Sequence, residues 1–154
     1  MIQRIQTLYL LIAAALLVVM LFVPLAWFAS EAGMFNLYAF SLQSADGSFA
    51  QSTVYLGILF VLSALLPLLT IFLYRRRLLQ IRLCVVEMVF LVGTVIMEAI
   101  YYFLSRRVFS ELALHNQGFK PAIVLPIVAL FFTFLAARAI FRDEMLVRSA
   151  DRIR

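Results

Sequence analysis

Residues 54–82 read VYLGILFVLSALLPLLTIFLYRRRLLQIR, and this stretch decides the class of fold. From Val54 to Tyr74 no side chain carries a charge. A helix needs roughly 20 mostly apolar residues to cross the hydrocarbon layer of a bilayer, so the run predicts a transmembrane helix. Arg75, Arg76 and Arg77 end it abruptly, and Arg82 follows. Another apolar run starts at once. The joining turn is so short that the two helices must be antiparallel neighbours.

Three more runs of similar character flank this one, giving spans at about 5–28, 54–74, 83–104 and 121–141, with a tail over 142–154. The chain of 154 residues is 66% hydrophobic and 14% charged, with mean hydropathy +1.06. Soluble domains carry about a quarter charged residues, so lipid must cover much of this surface. No repeat, linker or low-complexity segment divides the chain, which predicts a single all-α domain, a four-helix transmembrane bundle. The start, Met1 to Arg4 before an apolar run, looks like a signal peptide. The run is longer than a signal core and no small-x-small cleavage site follows, so it is expected to be retained.

Direction follows from the basic residues. Arg4, Arg75, Arg76, Arg77, Arg82, Arg138, Arg142, Arg148, Arg152 and Arg154 fall on one side of the four spans. Arg106, Arg107 and Lys120 fall on the other. The excess predicts cytoplasmic N- and C-termini in a multi-pass inner-membrane protein. The net charge of +5 is accounted for by these flanks, which meet anionic head groups; no basic domain is present to hold nucleic acid. Trp27, Tyr55, Tyr101 and Tyr102 sit near the expected outer ends and Tyr9 and Tyr74 near the inner ends, where amphipathic rings collect.

Pro67 and Pro126 fall inside spans two and four and are expected to kink them, a structural role before a mechanistic one. In the first outer loop, Phe40-Ser41-Leu42 leads to Asp46-Gly47-Ser48-Phe49, and Asp-Gly signals a small β-hairpin or compact loop; a mobile loop is the alternative. Gly118 is expected to form a turn before span four.

The sharpest polar features are Glu87 and Glu98, both inside span three. A carboxylate in lipid is costly and needs a reason. Eleven residues apart, they face one side of a helix, roughly 16 Å apart along its axis. That is too far for an acid/base dyad. They mark either a proton or cation relay or structural glue, with Glu87 placed to pair with Arg138 and Glu98 with a Tyr or Ser. Gln3, Gln6 and Thr7 form a polar patch at the start of span one, expected to pack against the turn or tail. Cys84 stands alone and reads as a small apolar residue. His115, the single histidine, has no clustered ligands for a metal. Ser44, Ser48 and Ser52 lack a base and an orienting acid. The five glycines form no phosphate loop. No cofactor is expected.

The tail interleaves acids and bases. Glu144 precedes Arg148 by one helical turn, a favourable pairing. Met145, Leu146, Ala150 and Ile153 share a helical sector, so the tail either extends span four or lies on the head groups. It serves as a topological anchor or as a docking element.

The opening block Met1-Ile2-Gln3-Arg4-Ile5-Gln6-Thr7, the mid-turn block Arg77-Leu78-Leu79-Gln80-Ile81-Arg82-Leu83-Cys84 and the closing block Arg142 to Arg154 together resemble a family of small four-span membrane proteins from Bacteroidota. The resemblance covers the whole chain. That family is a domain of unknown function, so the resemblance implies location and fold, and supplies no catalytic residues. All three blocks fall on the predicted cytoplasmic face. Gln3, Arg4, Gln6, Arg77, Gln80, Arg82, Asp143, Glu144, Arg148, Asp151 and Arg152 are therefore the expected contact residues. The first expectation for function is a non-enzymatic accessory or scaffold subunit bound to another membrane protein. The alternative is a small transporter or ion- or proton-conducting protein using Glu87 and Glu98. A lipid-modifying membrane enzyme ranks third.

Overall fold

The computed structural model describes residues 2–31, 33–44, 48–74, 76–110 and 114–151; the described side chains are those of 5–31, 33–44, 48, 51–74, 76–107, 116–147 and 149. Four helices form the body: α1 Ile2–Met20, α2 Val54–Phe72, α3 Arg77–Ser110 and α4 Leu125–Asp151. Each packs on its neighbour in sequence, and α1 closes the ring against α4.

The buried positions explain why these helices associate. In α1 they include Gln6, Leu10, Ala13, Leu17 and Met20; in α2 Leu56, Phe60, Ser63, Pro67 and Thr70. In α4 they include Pro126, Ala129, Thr133, Ala136 and Ile140. Each set alternates steps of three and four residues, which is the seam of a left-handed bundle. Small residues such as Ala13, Ser63, Ala129 and Ala136 let the backbones approach where lipid gives no hydrophobic push. Large apolar side chains on the opposite faces stay exposed: Leu8, Leu11, Ile58, Leu65, Val89, Ile96, Phe131 and Phe134. A patch of this extent is a liability in water and a requirement in lipid.

Three helical stretches, Val54–Phe72, Arg77–Arg107 and Pro121–Val147, are long and apolar enough to cross a membrane. The apolar stretch of α1, Ile5–Met20, is shorter. The expected first span to Phe28 is thus corrected. Val23 precedes Pro24, whose ring disfavours helical backbone at the residue before it. Beyond it, Trp27 and Phe28 enter a strand, as aromatic residues do readily.

The all-α expectation is corrected too. An antiparallel five-stranded sheet caps one end, built from β1 Ala26–Ser30, β2 Gly33–Leu37, β3 Ser41–Ser44, β4 Phe49–Ser52 and β5 Leu114–Phe119. Its order is β4-β3-β2-β1-β5. The predicted hairpin is the β3–β4 pair, Leu42 opposite Gln51, and its Asp46-Gly47 turn lies outside the described residues. Gly118 is not in a turn. It pairs with Trp27 inside the sheet, where a Cβ would lie 2.6 Å from the indole Nε1. Gly33 closes the β1–β2 turn with φ +121°, a conformation that glycine alone adopts easily. Phe28 packs on Tyr102 of α3 with ring centroids 5.4 Å apart, which fixes the sheet to the bundle. Thr53 joins sheet and α2: its hydroxyl donates to the carbonyls of Tyr38 and Ala39, both at 3.1 Å.

Two further expectations shift. Pro126 lies in the first turn of α4, after a 3-10 turn over Pro121–Val124, where its missing N–H breaks no helical bond, so no kink is needed. Pro67 is interior and buried. The tail continues α4 without a break as far as Asp151.

Candidate functional site

The bundle-facing stripe of α3 runs Gln80, Cys84, Glu87, Leu91, Thr94, Glu98, Tyr101, Ser105, and every member is buried. Five of these eight are polar or acidic, so α3 brings a polar seam into an apolar bundle. Each group then needs a partner from another helix or its own backbone.

Glu87 is wholly buried, and its Oε1 accepts a hydrogen bond from the Thr133 hydroxyl of α4 at 2.7 Å. Its other oxygen has no partner among the described residues. The expected pairing with Arg138 is replaced by this bond, since Arg138 is exposed and lines a groove with Tyr9 and Arg142. Half-way along, Ser63 of α2 and Thr94 share a hydrogen bond of 3.3 Å, while the Thr94 hydroxyl also donates to the Phe90 carbonyl at 2.8 Å. Nearer the arginine end, Gln80 donates to the Thr70 carbonyl at 2.9 Å, tying α3 to α2. Glu98 is 3% exposed and its Oε1 has no hydrogen-bond partner among the described residues. It lines a cavity of about 260 Å³ between α3, β5 and α4. Leu17, Met20, Phe60, Leu91 and Ala129 fill the core in the same bundle, so the two glutamates do not share one open channel.

The opposite end of the bundle gathers the basic residues. Arg77, at the start of α3, pairs with Asp143 of α4 at 3.4 Å. A cleft of about 530 Å³ between α1 and the α2–α3 turn is lined by Gln6, Thr7, Tyr74, Arg77 and Gln80 among others. A second, of about 750 Å³, is lined by Arg76, Arg77, Arg82 and Glu144 together with Leu78, Leu79 and Val147. The geometry refines the expected contact set. Gln6 and Gln80 are buried, so they are walls and not surface; Thr7, the neighbour of Gln6, is exposed. Arg82 is exposed, and Arg77, Asp143 and Glu144 are half-buried. The side chains of Gln3, Arg4, His115, Arg148 and Asp151, and all of Arg152, lie outside the described residues.

A family model described as Domain of unknown function (DUF4293) matches residues 2–153. The chain belongs to the DUF4293 family. Among curated proteins, none matches it.

In this DUF4293 chain, sequence reasoning missed Thr133, Ser63, Thr70 and Ser105. A hydroxyl in an apolar helix is unremarked because it can bond its own preceding turn, as Thr70 does to Leu66 at 2.8 Å. The signal that finds them is phase: each falls on the same three-and-four stripe as the small buried residues. Cys84 is buried with Leu10, Ala136 and Ile140, as a small apolar residue is. Among the described residues, no three of His, Cys, Asp and Glu come together.

Proposed function

We propose that the chain is a bacterial inner-membrane protein with both termini and the α2–α3 turn in the cytoplasm, serving as a non-enzymatic accessory or scaffold subunit of a membrane complex. Ten of its 13 Lys and Arg residues belong to the arginine end, which the positive-inside rule assigns to the cytoplasm. The observation that carries the reading is the convergence there of three separate segments around two clefts, one largely apolar with Arg77 at its wall and one lined by Arg76, Arg77, Arg82 and Glu144, with Arg77 and Asp143 paired beside them. Basic flanks that served topology alone would need no such pair and no interleaved acids. Exposed Arg76 and Arg82 offer guanidinium groups to acidic side chains of a partner and to anionic head groups.

Purification in a mild detergent, with mass spectrometry of what accompanies the chain, tests this. The expected result is one membrane protein at fixed stoichiometry, released by the charge reversals Arg76→Glu and Arg82→Glu. A chain that purifies alone, with variants indistinguishable in assembly size and in cell fitness, overturns it.

A second reading, a small transporter, draws on Glu98, a buried glutamate with one oxygen unpartnered among the described residues. The packed core around Leu91 means that such a protein would have to rearrange to pass an ion from Glu98 to Glu87.

A further inference from the structure

We propose that the groove between α1 and α4 at the arginine end binds one anionic phospholipid, its phosphodiester held by Arg138 and Arg142 and an acyl chain laid along the groove. Only the placement of the arginine end at a membrane surface is taken from the reading of function; no protein partner is required.

Arg138 stands inside the apolar stretch Pro121–Val147, and the glutamate expected to pair with it, Glu87, is bonded to Thr133 instead. It lies five residues, about 7.5 Å of helix, before Asp143, the level at which Arg77 is paired. A guanidinium at that depth is costly without a countercharge. Reaching back to the surface is the usual remedy, but helical side chains lean toward the N-terminus of their helix, which for α4 is away from the arginine end. Arg142 follows one turn later on the same face. Two like charges so placed repel each other, and no ion pair of either is found among the described residues. The neighbouring acids are engaged elsewhere: Asp143 pairs with Arg77, and Glu144 lines the cleft against α3.

The groove has a volume of about 460 Å³ and is lined by Ile5 and Tyr9 of α1 and by Leu135, Arg138, Ala139 and Arg142 of α4. Both arginines are exposed, and Tyr9 is fixed by its packing on Phe132, with centroids 6.1 Å apart. This lining sorts the ligands. A wholly apolar molecule would leave two guanidinium groups without a countercharge. A zwitterionic phospholipid brings a phosphate, but its ammonium would find no carboxylate, because no acid among the described residues lines the groove. A carboxylate from a partner helix would itself have to be carried into lipid at high cost. A phospholipid of net negative charge meets each demand. Its phosphate oxygens accept the paired, charge-assisted hydrogen bonds that guanidinium groups donate, and its chain covers Ile5, Leu135 and Ala139. Basic recesses between membrane helices near the bilayer surface are where such head groups lodge.

Native mass spectrometry of the full chain, released from detergent micelles, counts bound lipids one by one. Dioleoylphosphatidylglycerol is the probe, dioleoylphosphatidylcholine is the zwitterionic control with the same chains, and glycerol 3-phosphate is the soluble phosphoester. The first anionic lipid is expected to bind at least tenfold more tightly than the zwitterionic one, and a large excess of glycerol 3-phosphate should not displace it. The double variant Arg138→Gln, Arg142→Gln should weaken that binding at least tenfold. Arg76→Gln with Arg82→Gln removes as much charge from the opposite cleft and should change it less than twofold. Ala139→Phe fills the groove with both charges kept and should also weaken binding tenfold, which decides the matter if the double variant does not fold by circular dichroism. Equal affinity for the two lipids, or full binding by either folded groove variant, overturns the proposal. So does an equal loss from the two pairs of arginine variants, which would mean diffuse attraction, or displacement by glycerol 3-phosphate, which would mean a site for a soluble anion. A chain that purifies without partner proteins would leave all of these results unchanged.

Discussion

Thr133→Val should destabilise the bundle, and it should do so only while Glu87 is present. Valine matches threonine in shape, so the substitution removes one hydroxyl and little packing. The hydroxyl donates at 2.7 Å to a carboxyl that is fully buried and whose other oxygen already lacks a partner among the described residues. Two magnitudes compete. Hydrogen bonds between helices in membranes average only about 0.6 kcal/mol, because the unfolded helices find other partners. Stranding a buried acceptor costs about 1–3 kcal/mol. With Glu87 left wholly unsatisfied in the core, the second effect prevails, and the expected loss is about 2 kcal/mol. The reverse change is milder. Glu87→Met keeps an unbranched side chain of similar reach, and the freed Thr133 hydroxyl can turn to the carbonyl four residues back, as Thr70 and Thr94 already do. It should alter stability by less than about 0.5 kcal/mol, or raise it. In the Glu87→Met background Thr133→Val should then be nearly silent, a coupling of about 2 kcal/mol. Reversible unfolding in mixed micelles of rising SDS fraction, followed by circular dichroism, gives the four stabilities. A Thr133→Val loss that is the same in both backgrounds, or a Glu87→Met loss larger than that of Thr133→Val, refutes the reasoning.

Gly57→Ala should lose about 1–3 kcal/mol in the same assay, because its Cβ would overlap the Phe40 ring, and Phe40→Ala should recover most of that loss. Asp143→Asn breaks the half-buried pair with Arg77 and should cost under about 1 kcal/mol, a difference that shrinks as salt is raised. Val89→Lys, on the exposed middle of α3, should impair insertion by about 2–3 kcal/mol, whereas Phe22→Lys, past the end of α1, should impair it by no more than about 1 kcal/mol in a translocon insertion assay. Equal penalties at the two sites would show that residue 22 lies deeper than the fold places it.

What the sequence disclosed was set by how strongly each element depends on its own residues. Helices α2, α3 and α4 rest on long apolar runs that lipid alone reads, so their existence and antiparallel order were legible. Strand β1 was hidden because every residue from Leu21 to Ala29 is apolar or proline, and alternation cannot show where both faces read alike. Strand β5 was hidden for the opposite reason. Leu114-His115-Asn116-Gln117-Gly118-Phe119 has weak strand preference and becomes one because β1 offers it an edge, with Gly118 small enough to lie under Trp27. At the site, the shared face of Glu87 and Glu98 followed from spacing, but their environments did not. Thr133 is 46 residues from Glu87, and only the packing of α4 on α3 brings the hydroxyl to one glutamate and a cavity to the other.

The sheet also answers a difficulty that the short first helix raises. On the proposed topology α1 must cross a hydrocarbon layer of about 30 Å; its 19 residues, Ile2–Met20, extend about 28 Å at 1.5 Å per residue, but the apolar stretch beyond Arg4, Ile5–Met20, supplies only about 24 Å of this. Extended chain would supply the remainder within two or three residues, but bare backbone is not tolerated in lipid unless its polar groups are satisfied. Much of the segment meets that condition. Leu21 and Phe22 donate back to the carbonyls of Val18 and Val19, each at 3.1 Å. Pro24 has no donor to satisfy. Leu25, 1% exposed, donates to the Leu37 carbonyl at 2.7 Å and accepts from the Lys120 amide at 2.9 Å, so it is held between β2 and β5 before β1 begins. Strand β1 then pairs on both sides, which a strand at the edge of the sheet would not. On that proposed topology the central place of β1 would let the sheet carry the last part of the first crossing, with helix and sheet together doing the work that the continuous apolar run suggested a single helix would do.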